Sequence, residues 1–335
     1  MPQKSGRIIS AKQLAEPHPQ PINALENPRF AGIPTFMRLP HIPDAKRLDV
    51  ALIGVPFDGG TSYRPGPRFG PRHVRQQSAI IRPYHPVLDV SPFDLLRVAD
   101  YGDLPVNPLS IEDTFRRIES GLKTVLDDRA IPMCVGGDHS ILLPILRAIH
   151  AAHGPVGLIQ LDAHSDTWDQ YWGMKYSHGT PVRRAIEEGL LDEAHILQIG
   201  LRGQLYGADD MDYAREHKIK MIASEAIHDG GLSVVREALL GFRGHKIYLS
   251  LDIDVVDPAF APGTGTPQVG GLSSHQILSL IRAFAGLNFV GCDLVEVSPQ
   301  YDSAEITSLL AANLMFEQLC VLCLAQGFQE GRMSS

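Results

Sequence analysis

The sequence predicts an α/β fold: a mostly parallel sheet covered by helices on both faces. Two observations carry that prediction. Short apolar runs rich in β-branched residues recur from residue 48 onward, and amphipathic helical patterns lie between several of them. The runs are near-continuous rather than alternating, which marks strands buried on both sides. With 335 residues, 44% of them hydrophobic and 20% charged, the chain is long enough for one large domain of this kind.

Residues 1–45 are rich in proline and lack sustained periodicity (EPHPQPINALENPRFAGIPTFMRLPHIP). They read as an extended arm that wraps its own domain or a neighbouring subunit, ahead of a single α/β domain over 46–335. Within that domain the predicted strands are VALIGV (50–55), LLRVAD (95–100), IPMCVGG (131–137), VGLIQLD (156–162), HILQIGL (195–201), KIYLSLD (246–252) and NFVGCDLVEV (288–297). Helical patterns occupy 111–128, 140–154, 180–192 and 273–286. The apolar tail 306–327 is interrupted by Asn313, Glu317 and Gln318, so it reads as a packed helix rather than a membrane span. The stretch YRPGPRFGPRHVR (63–75) reads as a rigid turn, with a phosphate cradle as the alternative.

A net charge of −8 and a pI near 5.9 argue against a nucleic-acid binder, which would show a basic face. The start, MPQKSGRIIS, has no apolar segment after its basic residues, so no secretory signal is expected. Cys134, Cys292, Cys320 and Cys323 all lie in apolar runs and are expected as buried thiols in a reducing, cytoplasmic setting. For Cys320 and Cys323, a redox C-x-x-C pair is the alternative.

In parallel α/β sheets, ligands bind beyond the carboxyl ends of the strands, so the residues that follow each strand matter most. IPMCV is followed by Asp138 and His139, VGLIQL by Asp162, His164 and Asp166, and KIYLSL by Asp252 and Asp254. NFVGCDLVEV carries Glu296 near its end. Each residue alone has a bland reading as a turn, a helix cap or a satisfied hydrogen-bonder. Four strand ends that are all acidic are another matter, because nothing structural requires them and such a cluster repels itself. Divalent metal resolves the conflict. Asp162, Asp166, Asp252 and Asp254 balance two M²⁺ ions, and His139 and His164 add neutral nitrogen. Six side chains are too few for two separate spheres, so two aspartates must bridge. An oxygen-rich set with few imidazoles suits Mn²⁺, with Ni²⁺ or Co²⁺ as alternatives.

GGDHS (136–140), DAHSD (162–166), SLDIDVVDPAFAPGTGTP (250–267) and HGTP (178–181) together resemble the signatures of the ureohydrolase family, the arginases and agmatinases. The resemblance runs over nearly the whole chain and favours the agmatinase and guanidinobutyrase branch. It implies a three-layer α/β/α sandwich, usually in trimers or hexamers, and hydrolysis of a guanidino compound to urea and an amine. It also implies one metal on His139, Asp162, Asp166 and Asp252 and another on Asp162, His164, Asp252 and Asp254. His178 stands where the family places a proton-shuttling histidine; its bland alternative is a helix-start residue. Glu296 stands where the family pairs a carboxylate with the substrate guanidinium, and Asp254 is placed to accept a proton from the attacking water.

The loop TWDQYWGMKYS departs from the arginase pattern, which makes arginine a poor candidate substrate. Trp168, Tyr171, Trp172 and Met174 are expected to form an apolar wall or aromatic cage, with packing or subunit contact as the alternative for at least one tryptophan. Arg202 offers either an anchor for a carboxylate tail or a partner for the nearby acids. A linear guanidino acid such as 4-guanidinobutanoate, agmatine, and N-alkylated guanidines or biguanides such as metformin remain open as substrates. A single-metal deacetylase conflicts with the presence of both His139 and Asp254. A non-catalytic partner subunit of a hetero-oligomer would be expected to lack some of the six ligands.

Overall fold

The computed structural model describes residues 18–325. Among these, eight strands form one sheet: β1 (Val50–Val55), β2 (Val98–Asp103), β3 (Ile131–Gly136), β4 (Val156–Leu161), β5 (Leu191–Leu201), β6 (Lys220–Ala223), β7 (Lys246–Leu251) and β8 (Asn288–Leu294). They run in the order β2-β1-β3-β8-β7-β4-β5-β6, and every pairing is parallel. Strands β1, β3, β4 and β8 are buried almost throughout, which accounts for their unbroken apolar runs.

Ten helices flank the sheet. They are α1 (Gly70–Gln77), α2 (Pro92–Leu95), α3 (Ile111–Asp127), α4 (Leu142–His153), α5 (Pro181–Glu187), α6 (Asp212–Glu216), α7 (Ser224–Gly230), α8 (Ser233–Leu239), α9 (Ser274–Ala283) and α10 (Ile306–Cys323). Side chains of α1, α2 and α7–α10 share one hydrophobic core with one face of the sheet, and those of α3–α6 share a second core with the other. The result is the three-layer α/β/α sandwich. Strand β6 and helices α6–α8 were not legible in the sequence; β6 has four residues and only Ile222 is buried.

Part of the expected arm lies against its own domain, with Phe36, Met37, Leu39 and Ala45 at most 2% exposed. Asp100 draws the segment in by accepting the Phe36 N–H at 2.9 Å, while Arg75 clamps the same carboxylate at 2.8 Å. Only the stretch before it projects, with Leu25, Phe30 and Ile33 exposed. Residues 1–17 of the expected arm, and with them the start from which no secretory signal was expected, lie outside the described residues. Residues 63–75 are structural: Arg68 pairs with Asp58, Arg75 pairs with Asp100 and Asp103, and α1 begins at Gly70.

By length and composition alone, α10 could cross a membrane, yet 83% of it is buried inside the fold. Its one acid is also buried. Arg282 of α9 forks onto Glu317, and His85 Nε2 meets Glu317 Oε2 at 2.9 Å. His85 Nδ1 accepts the N–H groups of Val87 and Leu88, which leaves the ring proton on Nε2 to donate to Glu317. The four cysteines are buried, and burial pushes the Cys320 thiol up. The C-x-x-C pair is therefore packing. Replacing Glu317→Ala strands a partly buried guanidinium and an imidazole donor, so unfolding stability should fall by about 3 kcal/mol, read from the urea midpoint; Glu317→Gln, which keeps the His85 bond, should lose less.

Candidate metal centre

The acids and histidines sit where the central strands end, and the backbone ladder carries them there. Asp162 N–H continues the sheet to Ile199 O at 3.0 Å, and Asp252 N–H reaches Leu161 O at 2.9 Å. Glu296 N–H bonds Gly137 O at 2.9 Å. A Cβ on Gly137 would lie 1.8 Å from Phe57 O, so the second glycine of GGDHS is a packing necessity. Asp166 and Glu296 both hold left-handed backbone, with φ of 53° and 65°, a strain that clusters at functional sites.

Two donor groups meet here and share one residue. His139, Asp162 and Asp166 bring ligand atoms within 4.8 Å of one another, and so do Asp162, His164 and Asp254. His139 Nδ1 lies 3.0 Å from Asp162 Oδ2, 2.8 Å from Asp166 Oδ2 and 3.5 Å from Asp252 Oδ2. His164 Nδ1 lies 3.0 Å from Asp254 Oδ2 and 3.5 Å from Asp162 Oδ1. Asp162 thus turns one oxygen to each histidine. All six side chains predicted from the strand ends are brought together, and five of them are fully buried, His164 partly.

The donor set fits a divalent cation. Ser250 Oγ donates to Asp293 Oδ1 at 2.8 Å and therefore accepts from His139 Nε2, also at 2.8 Å. The Nδ1 lone pair is then left aimed at three carboxylates, buried and without a hydrogen-bond partner. A lone pair facing carboxylates is repulsive unless a cation lies between them. Without that cation the cluster holds protons instead: burial and the Asp162 charge push Asp166 up to about 6, and burial with Asp254 and Asp162 pushes Asp252 well above the usual carboxylate range. For Asp162 burial is outweighed by bonds from His139 and His164, which hold its carboxyl low. Metal would compete with those protons.

Glu296 stands beside this centre with its two oxygens in different states. Oε1 accepts the His139 N–H at 2.8 Å and lies 2.9 Å from His178 Nδ1. Oε2 is buried with no partner. His178 is buried too, and Ser62 covers its Nε2 through both N–H (3.0 Å) and hydroxyl (2.6 Å). Burial alone would lower the His178 pKa, but the Glu296 charge outweighs it and pushes the value up to about 9.

A sequence profile of the arginase family matches residues 48–320. The chain belongs to the arginase family. It is 50% identical over 311 residues to the guanidinopropionase of Pseudomonas aeruginosa, covering 92% of this chain and 98% of that one. To the guanidinobutyrase of the same organism it is 48% identical over 307 residues, covering 90% and 96%. The solved structure of proclavaminate amidinohydrolase from Streptomyces clavuligerus superposes with a TM-score of 0.83 at 44% identity, covering 90% of this chain and all of that one. The protein is a metal-dependent ureohydrolase, which hydrolyses a guanidino compound to urea and an amine.

The loop after DAHSD only partly forms the expected wall of this ureohydrolase. Tyr171 and Met174 exchange backbone bonds of 3.0 and 2.8 Å around Trp172 and Gly173, both at positive φ. That is a tight hairpin turn, and it leaves Trp172 81% and Met174 54% exposed. Trp168 and Tyr171 are half-buried and meet edge-on at 6.3 Å, while the exposed Tyr206 meets Trp168 edge-on at 5.5 Å from outside. Ser62, Ser250 and Gln160 were missed by the sequence reading. Gln160 donates to Asp162 at 2.8 Å and Asp166 at 3.3 Å; its one signal was an amide inside an apolar strand.

Arg202 is neither a carboxylate anchor nor an acid's partner. Its donors go to the carbonyls of Gly200, Asp254, Val255, Val256, Gln268 and Val269, the shortest to Asp254 at 2.6 Å. It ties the loop bearing Asp254 to residues 268–269. A lysine offers one nitrogen where five N–H groups act now. Arg202→Lys should therefore speed amide hydrogen exchange at residues 253–257 and cost about 1–3 kcal/mol of stability.

Proposed function

We propose that this ureohydrolase cleaves a linear guanidino acid of the 3-guanidinopropanoate or 4-guanidinobutanoate kind, with two divalent ions, Mn²⁺ by preference, held by His139, Asp162, His164, Asp166, Asp252 and Asp254. The observation that carries the guanidinium half is the buried, unpartnered Oε2 of Glu296 beside the metal cluster. A desolvated carboxylate oxygen without a donor is costly unless a cation meets it, and a guanidinium is planar, cationic and rich in N–H groups. For the tail, the names of the relatives at 50% and 48% identity support an acid. With Arg202 committed, Arg64 is a second support: its guanidinium lies over the Tyr63 and Tyr301 rings at 5.4 and 5.1 Å, and it has no carboxylate partner among the described residues.

When bound, the ions supply a Lewis acid and an activated water. The chain's own groups do the rest. Glu296 Oε2 takes the guanidinium and fixes the carbon to be attacked, while Oε1 stays occupied by His139 N–H and His178. Asp254 Oδ2, beside His164 and 3.4 Å from the Thr266 hydroxyl, is placed to hold the proton released by water. His178 is the donor for the departing amine nitrogen, and the half-buried Ser62 hydroxyl links it to solvent. Trp168 and Tyr171 flank the methylene chain.

We also propose a homo-oligomer, supported by the exposed Leu25, Phe30 and Ile33. We propose cytoplasmic residence, supported by the free, buried thiols of Cys134, Cys292 and Cys320.

The deciding experiment is urea release by protein loaded separately with Mn²⁺ and Ni²⁺, offered 3-guanidinopropanoate, 4-guanidinobutanoate, agmatine, arginine and dimethylbiguanide. A guanidino acid should lead; turnover of agmatine or the biguanide instead would overturn the assignment of the tail. Glu296→Gln should lower kcat/KM on the preferred substrate by at least about 100-fold with bound metal unchanged.

A further inference from the structure

At the opposite edge of the sheet, where β5 and β7 begin, a second group of donors converges. Asp192, His195 and His245 bring ligand atoms within 4.8 Å of one another. Two features of the backbone assemble them. Between β4 and β5 the register advances from Val156↔Leu191 to Leu158↔Ile196, so residues 192–195 loop out of the ladder and carry Asp192 and His195 together. Strand β4 separates β5 from β7, but at the level of the two histidines it presents Gly157; a Cβ there would stand 3.0 Å from His195 O and 3.1 Å from His195 Cβ. The missing side chain lets the two imidazoles close across the strand, with ring centroids 3.7 Å apart and planes at 29°.

We propose that Asp192, His195 and His245 form a binding site for a borderline divalent ion of the Zn²⁺ or Ni²⁺ class, separate from the catalytic cluster. Asp192 Oδ2 lies 2.7 Å from His195 Nδ1, and Phe242 holds the His195 ring from the side at 5.7 Å, so two donors are already placed. His245 is exposed, its backbone N–H donates to Phe242 O at 3.3 Å, and its ring stacks on His195. Metal bonds of about 2.0–2.2 Å put ligand atoms roughly 3.4 Å apart in a tetrahedral site, so the hydrogen-bonded Asp192–His195 pair opens from 2.7 Å as its proton leaves, and the exposed His245 swings in from within 4.8 Å. The donor set also selects the ion. Two imidazoles and one carboxylate favour Ni²⁺ or Zn²⁺, and Mn²⁺ lies at the weak end of the divalent series for such ligands. The fourth position is left to water, and no group nearby is poised for chemistry, so the site binds rather than catalyses.

The test is total bound metal per chain after equilibrium dialysis of the full-length protein against Mn²⁺, Ni²⁺ or Zn²⁺, with wild type beside His245→Ala and Asp192→Asn. Wild type should hold one more equivalent of Ni²⁺ or Zn²⁺ than of Mn²⁺. Each variant should lose that equivalent, keep its Mn²⁺ content and release urea at the wild-type rate. Equal Ni²⁺ and Zn²⁺ content in wild type and both variants would overturn the site. Failure of the catalytic assignment would lower all totals alike and leave the difference between wild type and variant intact, so the two proposals fail separately.

Discussion

Concentrated negative charge at the ends of buried strands is the constraint around which this fold is arranged. Asp162, Asp166, Asp252 and Asp254 converge within one cluster, away from water, with Glu296 close behind. Carboxylates in that state repel one another and lose hydration together. Protons relieve the conflict in part, which is why Asp166 and Asp252 are pushed upward. A divalent ion relieves it more fully, because it brings charge to the point where the lone pairs already aim. Metal affinity and the folded geometry are thus two sides of one balance, and the protein carries the acids at tension until a cation arrives.

Holding six donors in place takes a scaffold that cannot yield, and the parallel sheet supplies one. Asp162 and Asp252 continue the hydrogen-bond ladder of their strands, and the short segments that follow bring His164, Asp166 and Asp254. Behind the ligands, Ser250 and Asp293 fix the His139 ring while Gln198 and Gln160 pass a chain of amide bonds to Asp162. Such supporting bonds set the tautomer and the direction of each ligand. Arg202 does the same for Asp254 through carbonyls rather than charge.

The parts of this design that follow from periodicity and position were legible in the sequence. Seven strands were, because burial on both faces writes itself as apolar runs; so were the ligand side chains, because strand ends are where parallel sheets bind. What escaped is what depends on three-dimensional return paths. Ser62 reaches His178 across 116 positions, and nothing local marks it. Arg202 looked like an anchor because an arginine near a strand end suggests an anion; only the fold shows six carbonyls already around it. Trp172 looked like cage material until a two-residue turn at positive φ carried it outward. Phe36 and Met37 sat in a proline-rich stretch whose composition says arm, although their burial is decided by Asp100 some sixty residues on.

The division of labour within Glu296 explains how one carboxylate can serve both scaffold and substrate. Were both oxygens free, the side chain could turn away from the reacting carbon; were both bonded, no acceptor would remain for the guanidinium. Binding Oε1 to a ligand's own backbone, at His139 N–H, ties the direction of Oε2 to the metal cluster itself. The left-handed backbone at Glu296 is the strain that permits this placement at the end of β8. His178 completes the arrangement: by pairing with Oε1 it keeps a proton donor against the carboxylate that holds the cation, and Ser62 keeps its other nitrogen from drifting. On the proposed function, recognition of the cation and protonation of the departing nitrogen both draw on one hydrogen-bonded row of Ser62, His178 and Glu296.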